Sequence, residues 1–268
     1  YIFFIRIKHK KIIIFNNLSK LISLKYYYFI SRILNIKIVY DYVEFVSSIS
    51  NRDVPVDIDN PKIFDNVFHN YIDKCIVISD FLLEHVSKNL RNNHLIQIPP
   101  TMDYESLNQI KLQSTKEKFF LFCGGAAYDD IINFIILCFK KSKSIENGYQ
   151  LKLILSGNEN QIGNIKRMIK RLDLEKYISI DTEIGYSQLL SLYKSSFALL
   201  IPFSNNLQDK ARFPFKISEY CASASTIITS DSNQIVRYFT HRKSALIAEI
   251  ESADDYIKQI NYLIDNPK

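Results

Sequence analysis

The chain has 268 residues, 47% hydrophobic and 23% charged, a balance that excludes global disorder and suits two ordinary domains or one large one. Its formal net charge is +6, and the excess sits at one end: residues 1–40 hold eight Lys and Arg and no carboxylate, while the rest carries 26 basic against 28 acidic residues. No run of about 18 apolar residues occurs, which excludes a bilayer-spanning helix, and a basic excess confined to one end without a recognised binding motif argues against nucleic acid as a partner.

Four cysteines (Cys75, Cys123, Cys138, Cys221) form no Cys-x-x-Cys pair, and five histidines form no i,i+4 pair. The cysteines read as small buried hydrophobes of a reducing compartment, and no metal site is expected. The chain begins with Tyr1 and ends "LIDNPK", which reads as a piece of a longer protein.

In chain order, "YIFFIRIKHKKIIIF" is interrupted by Arg6, Lys8, His9, Lys10 and Lys11 and is neither a signal peptide nor a span. Strands are expected at "KIIIFN" (11–16), "IKIVYDY" (36–42), "KCIVISD" (74–80) and "HLIQIPP" (94–100), with helices near 18–34, 61–73 and 81–91. On the first helix Lys25, Tyr28 and Arg32 form a stripe opposite Ile22, Phe29 and Ile33. That stripe is either a solvated face or a contact for an anionic membrane surface made through residues 1–40. The connector 43–60 is long, a hint of function. The polar stretch after Pro99–Pro100 reads as a linker, which places a partial domain at 1–110 and a second domain at 111–268.

The second half repeats one pattern six times: an apolar run, then an amphipathic helical segment. The runs are "FFLFCGG" (119–125), "LKLILSG" (151–157), "YISIDT" (177–182), "FALLIPF" (197–203), "TIITSD" (226–231) and "SALIAEI" (244–250). Continuous apolar strands alternating with helices predict parallel sheets covered on both faces, hence two Rossmann-like domains with ligands at the carboxyl ends of the strands. Gly124–Gly125 and Gly157–Asn158 stand at such ends, where glycine permits a close backbone approach, though ordinary tight turns use it equally.

The stretch "ARFPFKISEY" (211–220) is more specific. Pro214 lies near the first turn of a helix, Lys216 and Glu219 share its face, and Lys210 and Arg212 precede it. A diphosphate there would meet N–H groups and cations, and Glu219 would accept from sugar hydroxyls. A solvated helix start with a surface Lys–Glu pair has the same pattern.

The order of these pieces resembles family 4 of the glycosyltransferases, retaining enzymes of GT-B fold, from about residue 36 to 268. Pro214, Lys216, Glu219 and Tyr220 fit the family's Pro-x-Lys-x-x-Glu-Tyr segment, and "CIVISDFLLEHV" with "IQIPPTMDYESL" resembles its run into the interdomain linker. The resemblance implies a GT-B-like α/β architecture, two Rossmann-like domains facing across a cleft with the first strand and glycine-rich loop of the first one missing. It implies a hexosyl transfer from a nucleoside-diphosphate sugar to a glycan or lipid-linked acceptor in polysaccharide or glycolipid synthesis, with no cofactor and no metal. Glu219 would be the catalytic carboxylate; Gly124, Gly125, Gly157, Asn158, Lys210, Arg212, Lys216 and Glu219 would bind the donor. The enzyme would be cytoplasmic, at the inner face of a membrane.

Three positions depart from the family pattern. Tyr128-Asp129-Asp130-Ile131 stands where many members have Arg and Lys-Gly, Ala211 replaces the first acid of Glu-x7-Glu, and Ala222-Ser223-Ala224-Ser225-Thr226 lacks the glycine and proline of Ala-x-Gly-x-Pro. These departures imply either a divergent enzyme or a degenerate, non-catalytic nucleotide-sugar binding module.

Overall fold

The computed structural model describes residues 2–7, 10–16, 20–49, 61–91, 94–105 and 117–267. The chain divides into two units, Tyr1–Pro100 with Asn206–Pro214, and Thr101–Asn205 with Phe215–Lys268. The boundary expected near residue 110 falls outside the described residues.

In the first unit the strands β1 (Ile2–Ile7), β2 (Lys10–Asn16), β3 (Ile36–Tyr42), β4 (Lys74–Val77) and β5 (Leu95–Gln97) form one sheet in that order. β2 to β5 are parallel, as expected, but β1 runs antiparallel to β2, which corrects the expectation of a purely parallel sheet. The reason is covalent. Only two residues separate Ile7 from Lys10, and a parallel connection needs a crossover of about a dozen.

Along β3, Ile36, Ile38, Tyr40 and Tyr42 are buried while Lys37 between them is exposed. Tyr40 and Tyr42 meet Phe68 at centroid separations of 5.1 and 4.7 Å, and Phe64 stacks on Phe68. Phe64 lies on helix α2 (Pro61–Val67), and Phe68 opens the 3₁₀ turn Phe68–Tyr71 that continues it. Each such ring pair contributes about 0.5–1.5 kcal/mol beyond its area burial. Asp65, on the same helix, is buried and fixes the start of the long connector. It accepts from the Tyr42 hydroxyl (2.7 Å), the Val46 and Ser47 N–H groups (3.0 and 2.7 Å) and the Ser47 hydroxyl (2.6 Å). Residues 50–60 of that connector lie outside the described residues.

Helix α1 (Leu21–Ile33) turns its apolar stripe outward: Ile22, Phe29 and Ile33 are each about two-thirds exposed, with Tyr26 beside them. Its basic residues Lys25 and Arg32 are exposed as well, but each contacts the unit. Lys25 lies over the Tyr71 ring, and Arg32 lies over Tyr28 and donates to both oxygens of Asp73. Burial alone would raise the Asp73 pKa, but the bonds from Arg32, the Ile38 N–H and Lys37 outweigh it and hold the carboxyl below its ordinary value.

Helix α3 (Asp80–Ser87) is capped by Ser79, whose oxygen accepts from the Leu82 N–H and whose hydroxyl donates to the Ala211 carbonyl. This bond ties Asn206–Pro214 to the first unit. Within that segment Asn206 caps the one-turn helix Leu207–Ala211, and Arg212 pairs with the buried Asp209 at 2.6 Å.

The second unit is a six-stranded, fully parallel sheet in the order β11-β10-β9-β6-β7-β8. The strands are β6 (Phe119–Gly125), β7 (Gln150–Ser156), β8 (Ile178–Asp181), β9 (Ala198–Ile201), β10 (Thr226–Ser230) and β11 (Leu246–Ala248). Each matches one of the six apolar runs. The helices that follow them are α4 (Asp129–Lys141), α5 (Glu159–Arg171), α6 (Tyr186–Ser195), α7 (Lys216–Ala222), α8 (Asn233–Tyr238) and α9 (Ala253–Asp265). The core between sheet and helices is built from Phe120, Leu151, Leu153, Ile132, Ile135, Phe139 and Ile165, all buried.

Candidate functional site

In the second sheet the chain runs β6, β7, β8 in one direction and then returns to lay β9 on the other side of β6. Such a reversal is where parallel α/β sheets open a crevice at their carboxyl ends. Here the opening is visible in the pairing. β6 follows β7 over seven residues, Phe119–Gly125, but follows β9 only across Phe120 and Leu121. Beyond Leu121 the Cys123 N–H donates instead to the Tyr220 hydroxyl, at 3.1 Å. Gly125, two residues on, directs its N–H to the same side of the strand.

Tyr220 belongs to α7, so its bond seats that helix against the parted strands. Phe215 is the cap residue of α7 and Pro214 stands just before it, as the sequence predicts. Lys216 Nζ donates to Glu219 Oε2 at 3.1 Å. The Tyr186 hydroxyl, at the start of α6, donates to Glu219 Oε1 at 3.4 Å. The carboxylate is thus held on one oxygen by an ammonium and on the other by a phenol, and retains lone pairs to accept from a ligand.

Behind this group lie the Cys123 thiol and the buried Tyr193 ring, which meets Tyr220 edge-on at 5.1 Å. Burial pushes the Cys123 thiol pKa up, although Lys216 and Tyr193 pull it back. For Lys216 burial works against the charged form, but Cys123 and Glu219 more than offset it, and the ammonium pKa is raised. Tyr186 is raised by burial, then by the Glu219 charge. At neutral pH Lys216 is therefore a fixed cation and Tyr186 a donor.

The other sequence-predicted residues have different surroundings. Gly124 and Gly125 are strand residues, not turn residues; a Cβ on Gly124 would stand 2.8 Å from the Phe122 ring. Gly157 lets two turns pack together, since its Cβ would meet the Ala126 Cβ at 2.7 Å and Gln161 Oε1 at 2.8 Å. Asn158 caps α5: its side chain accepts from the Gln161 N–H, and Gln161 reciprocates at the Asn158 N–H. This helix start is occupied by its own capping box. Lys210 and Arg212 belong to the first unit, the former exposed and the latter committed to Asp209. Asp129 and Asp130 occupy the first turn of α4, where Asp129 Oδ1 accepts from the Asp130 N–H.

Lys216 and Glu219, which the sequence sets on one helix face, are paired in the structure, and Tyr186, Cys123 and Tyr193, which the sequence does not single out, lie beside them. Gly185, the cap residue of α6 between the run at 177–182 and "SQLLSLYKS", is the signal in the sequence that stands next to Tyr186.

No curated protein matches the chain by sequence. Solved structures match it by fold. A sucrose-phosphate synthase from Thermosynechococcus elongatus has a TM-score of 0.71 at 14% identity, over 96% of this chain and 65% of that one. Anabaena HepE in complex with UDP and glucose has a TM-score of 0.65 at 13% identity, over 94% and 68%. A trehalose-phosphate synthase from Burkholderia vietnamiensis has a TM-score of 0.62 at 10% identity, over 91% and 63%. The chain therefore spans about two-thirds of the length of these proteins, and their two-sheet GT-B architecture is its own. The family model described as "Glycosyl transferases group 1" matches residues 103–268, the whole described part of the second sheet with its parted strands and its Lys216–Glu219 pair, and the chain belongs to that family.

Proposed function

We propose that the chain is the greater part of a retaining glycosyltransferase. It transfers a hexosyl group from a nucleoside-diphosphate sugar to an acceptor hydroxyl in glycan, polysaccharide or glycolipid synthesis. The observation that carries this reading is the Lys216–Glu219 pair, 3.1 Å apart, at the point where β6 and β9 part. A leaving diphosphate needs fixed positive charge and N–H groups aimed at it, and Lys216 with the strand-end backbone supplies both. Glu219 accepts hydroxyls of the donor. The reading uses no metal and no cofactor; the nucleotide sugar is a substrate. Its support is the family and the fold shared with proteins such as HepE, whose structure contains UDP and glucose.

The test is calorimetry of the full-length protein with UDP and GDP. Binding is expected, and Lys216→Ala should weaken it by about 1.5–3 kcal/mol, the loss of one charge-assisted bond. No heat with either nucleotide would remove the reading.

A non-catalytic binding module of the same fold has one observation in its favour. Two carboxylates, Asp129 and Asp130, sit in the first turn of α4, a helix start that would otherwise favour an anion. Nucleotide binding without any sugar transfer or donor hydrolysis would select this second reading.

The acceptor side of the reading includes a membrane. The surface joins the exposed Lys25 and Arg32 of α1 to its apolar stripe: Ile22, Tyr26, Phe29 and Ile33 face outward, and residues 1–40 carry no acid. Among the described residues no helix is long and apolar enough to cross a bilayer. Peripheral docking at an anionic, cytoplasmic leaflet fits an apolar stripe set in a basic segment. Co-sedimentation with anionic vesicles is expected, and Phe29→Ser should abolish it. Equal binding to neutral vesicles, or none to either, would exclude the docking.

A further inference from the structure

The reading above gives Lys216 and Glu219 their tasks and leaves Tyr186 without one. It is 56% exposed, although it stands at the start of α6 in contact with Glu219. Its hydroxyl is tied to Glu219 Oε1, so the ring is pinned at both ends: by the backbone at the start of α6 and by the phenol. The 3.4 Å contact is long, of the kind that tightens when a ligand orders a site. Phe215, the residue before Lys216, is likewise 57% exposed.

Three kinds of surface therefore meet within a few residues' reach. Lys216 offers a cation, Glu219 a carboxylate anchored on both oxygens, and Tyr186 a flat apolar face. An anion, a hydroxyl pair and a flat ring are the three parts of a nucleoside phosphate. An exposed tyrosine held by its own hydroxyl keeps little rotamer freedom to lose on stacking.

We propose that Tyr186 belongs to the nucleotide site, its ring being the wall on which the base stacks and its hydroxyl orienting Glu219. The proposal rests on the donor-site reading and adds to it which part of the ligand is recognised where. Tyr186 touches the base directly and acts on the hydroxyls only through Glu219.

The experiment compares Tyr186→Ala and Tyr186→Phe with wild type in the full-length protein, by calorimetry with UDP, GDP and inorganic pyrophosphate. Because stacking carries roughly a tenfold effect or more per base, Tyr186→Ala should weaken the tighter nucleotide about 10-fold or more. Pyrophosphate, which has no base, should bind wild type and Tyr186→Ala alike. Tyr186→Phe, which keeps the ring, should restore most of the nucleotide affinity. Melting temperatures near wild type are expected for both variants, since the ring is more than half exposed. Nucleotide binding unchanged in Tyr186→Ala overturns the proposal, as does an equal loss of nucleotide and pyrophosphate. If wild type binds pyrophosphate as tightly as UDP and GDP, the stacking wall falls while the diphosphate site stands. If none of the three binds, the donor-site reading fails and takes the wall with it.

Discussion

Glu219→Ala is expected to cut turnover of the full-length protein by roughly 10²-fold or more, the scale of losing one preorganised group at a reacting centre. Glu219 is the only carboxylate that the described contacts place against Lys216, and it is largely screened from solvent, with 15% of its side chain exposed. Removing it leaves Lys216 free to fold over the Cys123 thiol and leaves Tyr186 without its anchor. Sugar hydroxyls would then have no oriented acceptor, and the donor would sit in several poses. The cost in stability is small by comparison, on the order of 1 kcal/mol, because Lys216 keeps about a third of its side chain in solvent and stays hydrated when its partner is removed. Glu219→Gln, which keeps the shape and loses the charge, should lie between. Steady-state turnover and melting temperature, measured together, separate the outcomes. Near-normal turnover in Glu219→Ala would reduce "ARFPFKISEY" to a connector.

Asp65→Ala is expected to destabilise the first unit by about 3–5 kcal/mol, because removing the acceptor strands buried donors that each cost about 1–3 kcal/mol when unpaired. Four donors lose their acceptor at once: the Tyr42 hydroxyl, two N–H groups and the Ser47 hydroxyl. Tyr42 is itself fully buried, and burial together with the Asp65 charge pushes its pKa up, so the phenol stays a donor and cannot relieve the loss by ionising. Asp65→Asn should be only a partial remedy, since its amide brings two donors to a place crowded with them. Tyr42→Phe removes one donor along with its need for a partner, and should cost about 1 kcal/mol. Thermal melting of the three variants gives the order. A loss under about 1 kcal/mol in Asp65→Ala would mean that water reaches the connector and satisfies its N–H groups.

Most of the architecture was legible in the sequence because it is written in local patterns. β3 and β6 match their apolar runs residue for residue, and the amphipathic segment after "FFLFCGG" forms the helix α4. What failed was also local in origin. Strand β1 was hidden because Lys8, His9 and Lys10 interrupt one long apolar stretch, which reads equally as one broken segment or as two short strands. At the site, Lys216 and Glu219 are three residues apart and could be paired on a helix face. Tyr186 lies 33 residues from Glu219, and no periodicity links them; only the fold does. The ion-pair partner of Arg212 was equally invisible. The one-turn helix Leu207–Ala211 brings Asp209 to it, and helices of that length leave no periodic trace.

The allocation of Asn206–Pro214 to the first unit has a consequence for how the chain is made. The polypeptide leaves the first unit at Pro100, builds four strands of the second sheet, returns for nine residues, and leaves again at Phe215. On a ribosome the N-terminal unit is thus not finished when its own sheet has emerged. The Ser79 hydroxyl waits for the Ala211 carbonyl, which is synthesised 132 residues later. Vectorial folding in the usual order, one domain closed before the next begins, is denied to this topology. For the same reason a gene fragment starting near residue 111 encodes the second sheet together with nine residues whose partners were left behind, and such a fragment is not a domain but a domain with a loose strap.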